Sequence, residues 1–322
     1  MTRALRPVHV ETPAVREVLL RGRGLEATVV PELGAKVTEL RSRSGRDWLW
    51  NNDRLPHRPG APGSSYEQDF DSGGWDELFP NVSPVYAGSD TGAWAGLRLT
   101  DHGEIWCRPW TVQHSDLSVC RTFCESLRPG YRLDRTLSTS SACPTLRAEY
   151  EFTNHDRAPM PFVWAAHPIF SLHPGMSLLV DPATPVVIGS IGGVRPAQGS
   201  EFARWSDLAA LHSVFDGGKP LSETCLTSEF SAKIFVAVGH GPTIGLADSR
   251  TGERMSIVPL DESVPYVAIW LNLGGWSGDG GPALTNIGIE PTSSAHEVPG
   301  PGVQIAAPGE TRRWAFEVRF EG

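Results

Sequence analysis

The sequence predicts an all-β chain in which antiparallel sheets pack face to face or curl. Three observations carry that expectation. Apolar residues recur with period two, helical spacing is nearly absent, and the 34 glycines and 27 prolines are scattered, as turns between short strands require.

Taken in chain order, strands are expected at residues 26–30, 36–41 and 97–99. Cys120 and Cys124 stand four apart in a further strand and share a face. Leu146, Ala148, Tyr150 and Phe152 alternate with Arg147, Glu149, Glu151 and Thr153, a strand with one wet face. Strands are also expected at 235–238 and 264–271, and residues 243–246 and 254–258 read as two strands around a tight turn. Trp314, Phe316, Val318 and Phe320 repeat the alternation, so the last segment closes a sheet. The best helical pattern is 202–214, where Leu208, Leu211 and Val214 lie three apart and one or two turns are expected. Residues 51–72 and 272–282 are polar and rich in glycine and proline, and long ordered loops of this kind often carry sites. No linker or charge break divides the chain, so residues 1–322 are expected to form a single domain.

Composition excludes several classes. Lys and Arg number 28 and Asp and Glu 37, a formal net charge of -9, and phosphate backbones require the opposite sign. Nucleic acid is therefore not the expected partner. No run of 18 apolar residues suggests a membrane span, and the N-terminus lacks the apolar core of a signal peptide. Five cysteines make no disulfide scaffold. A cytoplasmic protein is the expectation. No phosphate-cradling loop, dinucleotide fingerprint, zinc-binding His-Glu-x-x-His or Gly-x-Ser-x-Gly elbow occurs, and neither metal nor cofactor is expected.

Four segments crowd titratable and aromatic residues beside turns. Residues 71–81 hold Asp71, Gly73, Gly74, Trp75, Asp76 and Glu77; paired glycines there suggest a turn presenting a tryptophan beside two carboxylates. Residues 101–110 hold His102, Gly103, Trp106 and Arg108. His167 ends an apolar run and precedes a proline, which forces an extended or turning backbone. Glu290 ends the strand-like run Ile287, Gly288, Ile289; on an inner face it must be paired or used, and on an outer face it is merely solvated. Trp75, Trp106, Trp270 and Trp276 lie near loops and strand ends. A flat aromatic surface beside carboxylates and histidines suits a sugar.

In order and content these segments resemble the aldose 1-epimerase, or galactose mutarotase-like, superfamily. The early Pro31-Glu32-Leu33-Gly34, the glycine-rich stretch ending in Phe79-Pro80, the His102-Gly103 pair before Trp110, and the strands ending in His167 and Glu290 carry the resemblance. It spans residues from about 20 to about 320. It implies a large antiparallel β-sandwich that interconverts the α and β anomers of a free aldose. Glu290 would be the base, His167 the acid, and His102 a hydrogen-bond donor near the ring oxygen. Trp75, Asp76, Glu77, Arg108, Lys233 and Trp270 are candidate substrate-binding residues. The partner would be a small-molecule sugar, and the assembly a monomer or homodimer.

The chain departs from galactose-type members of that superfamily. The Arg-Asn arrangement before the first histidine has no convincing match, and Asp71, Asp76 and Glu77 occupy that region. Lys233, one of three lysines in the chain, stands where an acid would be expected. The alternatives are a carbohydrate-binding or regulatory protein on the same scaffold, an epimerase of a phosphorylated or unusual sugar, or a lyase or hydrolase. A glycosidase would set two carboxylates across a cleft, for which Glu290 with Asp76 or Glu77 are candidates.

Overall fold

The computed structural model describes residues 15–61, 63–127, 129–196, 201–208, 220–238 and 244–322. Its strands are, in chain order, β1 (Val18–Gly22), β2 (Leu25–Val30), β3 (Lys36–Ser42), β4 (Trp75–Leu78), β5 (Val85–Tyr86), β6 (Arg98–Leu99), β7 (Thr111–Ser115) and β8 (Val119–Leu127). There follow β9 (Gly130–Thr139), β10 (Thr145–Asn154), β11 (Met160–Phe162), β12 (Ala165–Ser171), β13 (Met176–Leu179), β14 (Pro185–Ile191) and β15 (Glu201–Arg204). The last are β16 (Phe230–Ala237), β17 (Ile244–Asp248), β18 (Arg254–Pro259), β19 (Tyr266–Leu273), β20 (Thr285–Thr292), β21 (Gln304–Ala306) and β22 (Thr311–Glu321).

Two large sheets result. The first has ten strands in the order β1-β2-β3-β4-β12-β20-β19-β16-β14-β15, and the second eight in the order β13-β17-β18-β22-β10-β9-β8-β7. Neighbours pair antiparallel throughout both. Period-two patterning is the cause. In β10 and β22 alternate side chains are buried, and the register sets Leu146 opposite Val318, Ala148 opposite Phe316 and Tyr150 opposite Trp314.

The inner faces of the two sheets meet in one continuous apolar core. Trp75 of β4 packs on Phe316 of β22 with ring centroids 5.4 Å apart. A fully buried aromatic or aliphatic side chain of this size contributes about 1.5–3 kcal/mol. One polar cluster interrupts the apolar layer. Glu77 of β4 accepts from Arg135 of β9 (2.9 Å), Tyr150 of β10 (2.7 Å) and the indoles of Trp75 and Trp164 (3.0 Å each). A buried carboxylate with four donors is satisfied where an unpaired one would not be.

The 202–214 stretch begins as a strand rather than as helix. Phe202 lies in β15, which pairs with β14, and a 3-10 turn, Trp205–Asp207, follows it. Leu211 and Val214 lie outside the described residues. The long loop before β4 carries a four-residue helix, Tyr66–Asp69. Among the described residues no helix is long and apolar enough to cross a membrane.

Candidate functional site

The outer face of the ten-stranded sheet, turned away from the core, floors a cavity of about 330 Å³. Alternation decides which residues reach it. On β12, Ala166 and Phe170 enter the core while His167 and Ile169 face the cavity. On β20, Ile287 and Ile289 face inward and Asn286 outward; on β19, Ile269 and Leu271 face inward and Trp270 outward. On β16, Ala232 and Ile234 leave Lys233 on the cavity side. Loops complete the walls with Trp50, Tyr66, Glu67, Asp101, His102, Trp276 and Glu297.

Glu290 belongs to the same outer face, opposite Ala268 in the register. Its neighbour two residues back is a glycine. A Cβ on Gly288 would stand 2.6 Å from Glu290 Oε1, so the carboxylate folds back into the space that a side chain there would fill. Glu290 is 1% exposed. Its Oε2 accepts from Lys233 Nζ at 2.5 Å, and its Oε1 lies 3.6 Å from His167 Nε2 with no hydrogen-bond partner. Burial raises this carboxyl above the ordinary range, and the Lys233 ammonium holds it back.

His167 is the histidine whose charged form the site disfavours. Burial pushes it well below the usual imidazole value, and the charges of His102, Lys233 and Lys36 push the same way. Its Nδ1 stands 3.3 Å from the Tyr66 hydroxyl. His102 behaves oppositely. Burial works against its charged form, but the hydrogen bond and charge of Asp101, with the charge of Glu67, outweigh burial and raise it. Its Nδ1 bonds Asp101 Oδ2 at 2.9 Å.

His102 is placed by an unusual turn. Both His102 (φ 58°) and Gly103 (φ 72°) are left-handed. The His102 amide donates to Val82 at 2.7 Å, and a Cβ on Gly103 would lie 2.1 Å from the Phe79 carbonyl oxygen. Only glycine fits there. The His102 ring stacks on Tyr66 with centroids 4.1 Å apart and meets His167 edge-on at 5.5 Å.

Of the sequence-derived candidates, the structure brings His102, His167, Lys233 and Trp270 to the cavity, with Glu290 buried behind His167 and Lys233. Trp270 meets Trp276 edge-on at 5.7 Å, an apolar wall beside the charged groups. Four candidates lie elsewhere. Trp75 and Glu77 face the space between the sheets, because residues 75–78 form a strand rather than a turn and its alternate side chains point inward. Arg108 pairs with Glu104 at 3.5 Å and donates to the Glu125 carbonyl at 3.1 Å, outside the cavity. Its even spacing from His102 means little, since residues 101–108 are turns and bends with one isolated bridge and follow no strand period. Asp76 lies one layer below the cavity. Its Oδ2 accepts from Tyr66 at 2.9 Å and from Lys36 at 2.8 Å. Neither Asp76 nor Glu77 therefore faces Glu290 across a cleft, and a glycosidase pair is not formed by them.

Sequence reasoning missed Tyr66, Glu67, Asp101 and Glu297 as individual site residues. Glu297 accepts from Ser83 at 2.7 Å and Arg195 at 3.1 Å; burial opposes its charge, but Lys233, Ser83 and Arg195 lower it overall. Tyr66 and Glu67 lie within the polar 51–72 stretch already marked as a candidate, but nothing in that stretch singles them out. Glu67, Asp101 and His102 present potential ligand atoms within 4.8 Å of one another. The Asp101–His102 hydrogen bond already accounts for two of the three.

No protein-family model matches the chain, and no curated protein matches it. Solved structures do. The Slr1438 protein from Synechocystis sp. PCC 6803 is 17% identical with a TM-score of 0.68, over 98% of this chain and 99% of that one. A galactose mutarotase-like protein from Lactobacillus casei is 17% identical with a TM-score of 0.66, over 95% and 100%. A galactose mutarotase related enzyme from Lactobacillus acidophilus is 13% identical with a TM-score of 0.67, over 95% and 98%.

Proposed function

We propose, from a galactose mutarotase-like fold with a histidine lining its cavity and a glutamate buried behind it, that the protein is an aldose 1-epimerase. Its substrate would be a free hexose, whose α and β anomers it interconverts. One observation carries the reading: His167 Nε2 and Glu290 Oε1 stand 3.6 Å apart, and Oε1 has no other partner. Anomeric exchange needs a base at the anomeric hydroxyl and an acid at the ring oxygen. Those two oxygens sit on one carbon, two covalent bonds apart. Acid and base this close together can each hold a hydrogen bond to one of them.

Glu290 takes the proton of the anomeric hydroxyl as the ring opens. His167 Nε2 gives a proton to the ring oxygen. Rotation about the bond to the new aldehyde carbon follows, and closure returns both protons to their sources. The working pair thus carries one proton between Nε2 and the carboxylate. His102, whose charged form Asp101 favours, donates toward the sugar oxygens and stabilises charge as it develops. Trp270 and Trp276 offer the flat apolar surface on which a sugar's C–H face stacks.

The test is the anomeric relaxation of fresh α-glucose and α-galactose followed by proton NMR. Wild type is compared with Glu290→Gln, His167→Ala and buffer, since mutarotation proceeds slowly without enzyme. Acceleration by wild type that is lost in both variants supports the reading. No acceleration of either sugar by folded wild type rejects mutarotation of these hexoses and leaves sugar binding as the role to test by titration.

A further inference from the structure

We propose that Tyr66, anchored by Asp76, is the positioning residue of His167. It keeps the ring proton on Nδ1 and leaves Nε2 as the nitrogen that exchanges protons with the cavity. The inference rests on the reading of His167 as the acid given above and explains how a buried histidine can serve in that role.

The Tyr66 oxygen has three polar neighbours: Asp76 Oδ2 at 2.9 Å, the Ser72 carbonyl at 3.3 Å and His167 Nδ1 at 3.3 Å. A phenol has one proton to give. Asp76 is the nearest acceptor and the only carboxylate among them. Lys36 pins it: Nζ lies 2.8 Å from the same Oδ2 and donates to the carbonyls of Asp71 and Gly73 at 2.7 Å each. The Tyr66 proton is therefore directed to Asp76. What faces His167 is the phenol's lone pair, and only an N–H at Nδ1 satisfies it.

The choice of nitrogen matters for the chemistry. With Nδ1 protonated throughout, His167 alternates between a neutral ring and an imidazolium by gaining or losing the Nε2 proton alone. Ring opening moves one proton from the anomeric hydroxyl to Glu290 and one from Nε2 to the ring oxygen. The histidine left behind is neutral, and no imidazolate forms. Closure reverses both transfers. Tyr66 keeps its proton in every step, in accord with burial and the Asp76 charge raising its hydroxyl well above the ordinary range.

The Tyr66 ring is clamped for this task. It stacks on His102 and meets Trp106 edge-on at 4.9 Å and His167 edge-on at 5.9 Å. Its hydroxyl is thus fixed relative to His167 by ring packing as well as by Asp76.

Long-range proton–nitrogen correlation spectra of the full chain with 15N-labelled histidine, recorded without sugar, report which nitrogen carries the proton. The His167 signals are identified by their loss in His167→Asn. Wild type is expected to show the Nδ1–H form. Tyr66→Phe removes the lone pair, and Asp76→Asn releases the Tyr66 proton to turn toward Nδ1. Both are expected to lose the Nδ1–H form in favour of Nε2–H. In sugar kinetics both variants lower kcat with little change in KM and displace the pH profile. An Nε2–H form in wild type, or an Nδ1–H form that survives both substitutions, overturns the inference. The spectra need no turnover, so a wild type that shows Nδ1–H but accelerates no sugar rejects the activity and not the proton placement. An active wild type in the Nε2–H form rejects only the placement.

Discussion

Lys233 Nζ donates to Glu290 Oε2 at 2.5 Å, and the two side chains are 12% and 1% exposed. Half of the proposed base is thereby occupied, and only Oε1, 3.6 Å from His167 Nε2, has no hydrogen-bond partner. Burial raises this carboxyl above the ordinary range. The ammonium opposes that. Along the wall the charges alternate, from Glu290 to Lys233, then Glu297 and Arg195, so each buried charge has an opposite neighbour.

Lys233→Met tests this pairing. Removing one partner of a buried ion pair costs about 3–5 kcal/mol, because the other charge is stranded. The variant is expected to unfold at lower urea concentration. Adding Glu290→Gln should restore part of the loss, since no charge then remains to strand. In activity, Lys233→Met should be weak at neutral pH and recover as pH rises, because Glu290 ionises later without the ammonium. Additive urea midpoints in the double variant, or an unshifted pH profile, would reject the coupling.

Gly288→Ala tests the folded-back position of the carboxylate. The new methyl would stand 2.6 Å from Glu290 Oε1 and 3.2 Å from Trp270 Cβ. The carboxylate must move away from His167. A displacement of about 1 Å at reacting groups can cost a hundredfold in rate. Relaxation kinetics should show a fall in kcat far larger than any change in urea stability. Equal losses in both would mean that the glycine serves packing alone.

Much of this site was legible in the sequence, for identifiable reasons. His167 lies within β12 and Glu290 within β20 rather than at their ends, and Ala166, Ile287 and Ile289 beside them enter the core as strand alternation requires. His102 was marked by the glycine that follows it, and Gly103 does adopt the left-handed conformation. Trp75, Asp76 and Glu77 failed because a four-residue strand between turns looks like a turn. Strand alternation then sends the first and third to the inter-sheet core and the second outward, beneath Tyr66. Tyr66 was hidden differently. Its role depends on Asp76, His102 and His167, which are distant in sequence, and no local spacing encodes that meeting.

The two histidines should tune stability in opposite directions. His102 is raised above its unfolded value, so its contribution is fully present below about pH 6.5 and is lost as pH rises through the folded value. His167 is depressed. As pH falls below about 6.5 the unfolded chain takes a proton that the folded site refuses, and stability is lost. Urea denaturation across that range separates them. The stability difference between wild type and His102→Asn should shrink toward alkaline pH, whereas wild type should lose ground to His167→Asn toward acid pH. Parallel pH curves for wild type and either variant would reject that assignment.

Glu77 and Arg135 pose the complementary case, a buried charge pair remote from the cavity. Arg135 Nη1 meets Glu77 Oε1 at 2.9 Å, the guanidinium also bonds the Ala35 carbonyl, and both side chains are nearly inaccessible. The pair joins β4 of one sheet to β9 of the other, so Arg135→Met leaves Glu77 charged between the sheets with only Tyr150 and two indoles for partners. The expected loss is about 3–5 kcal/mol in urea unfolding. Replacing both, with Glu77→Gln and Arg135→Met, removes the stranded charge and should recover a measurable part. At temperatures where each variant remains folded, KM for sugar should match wild type, since neither side chain reaches the cavity. A raised KM with unchanged stability would instead make the pair part of the sugar site, against the placement of Glu77 on the inner face.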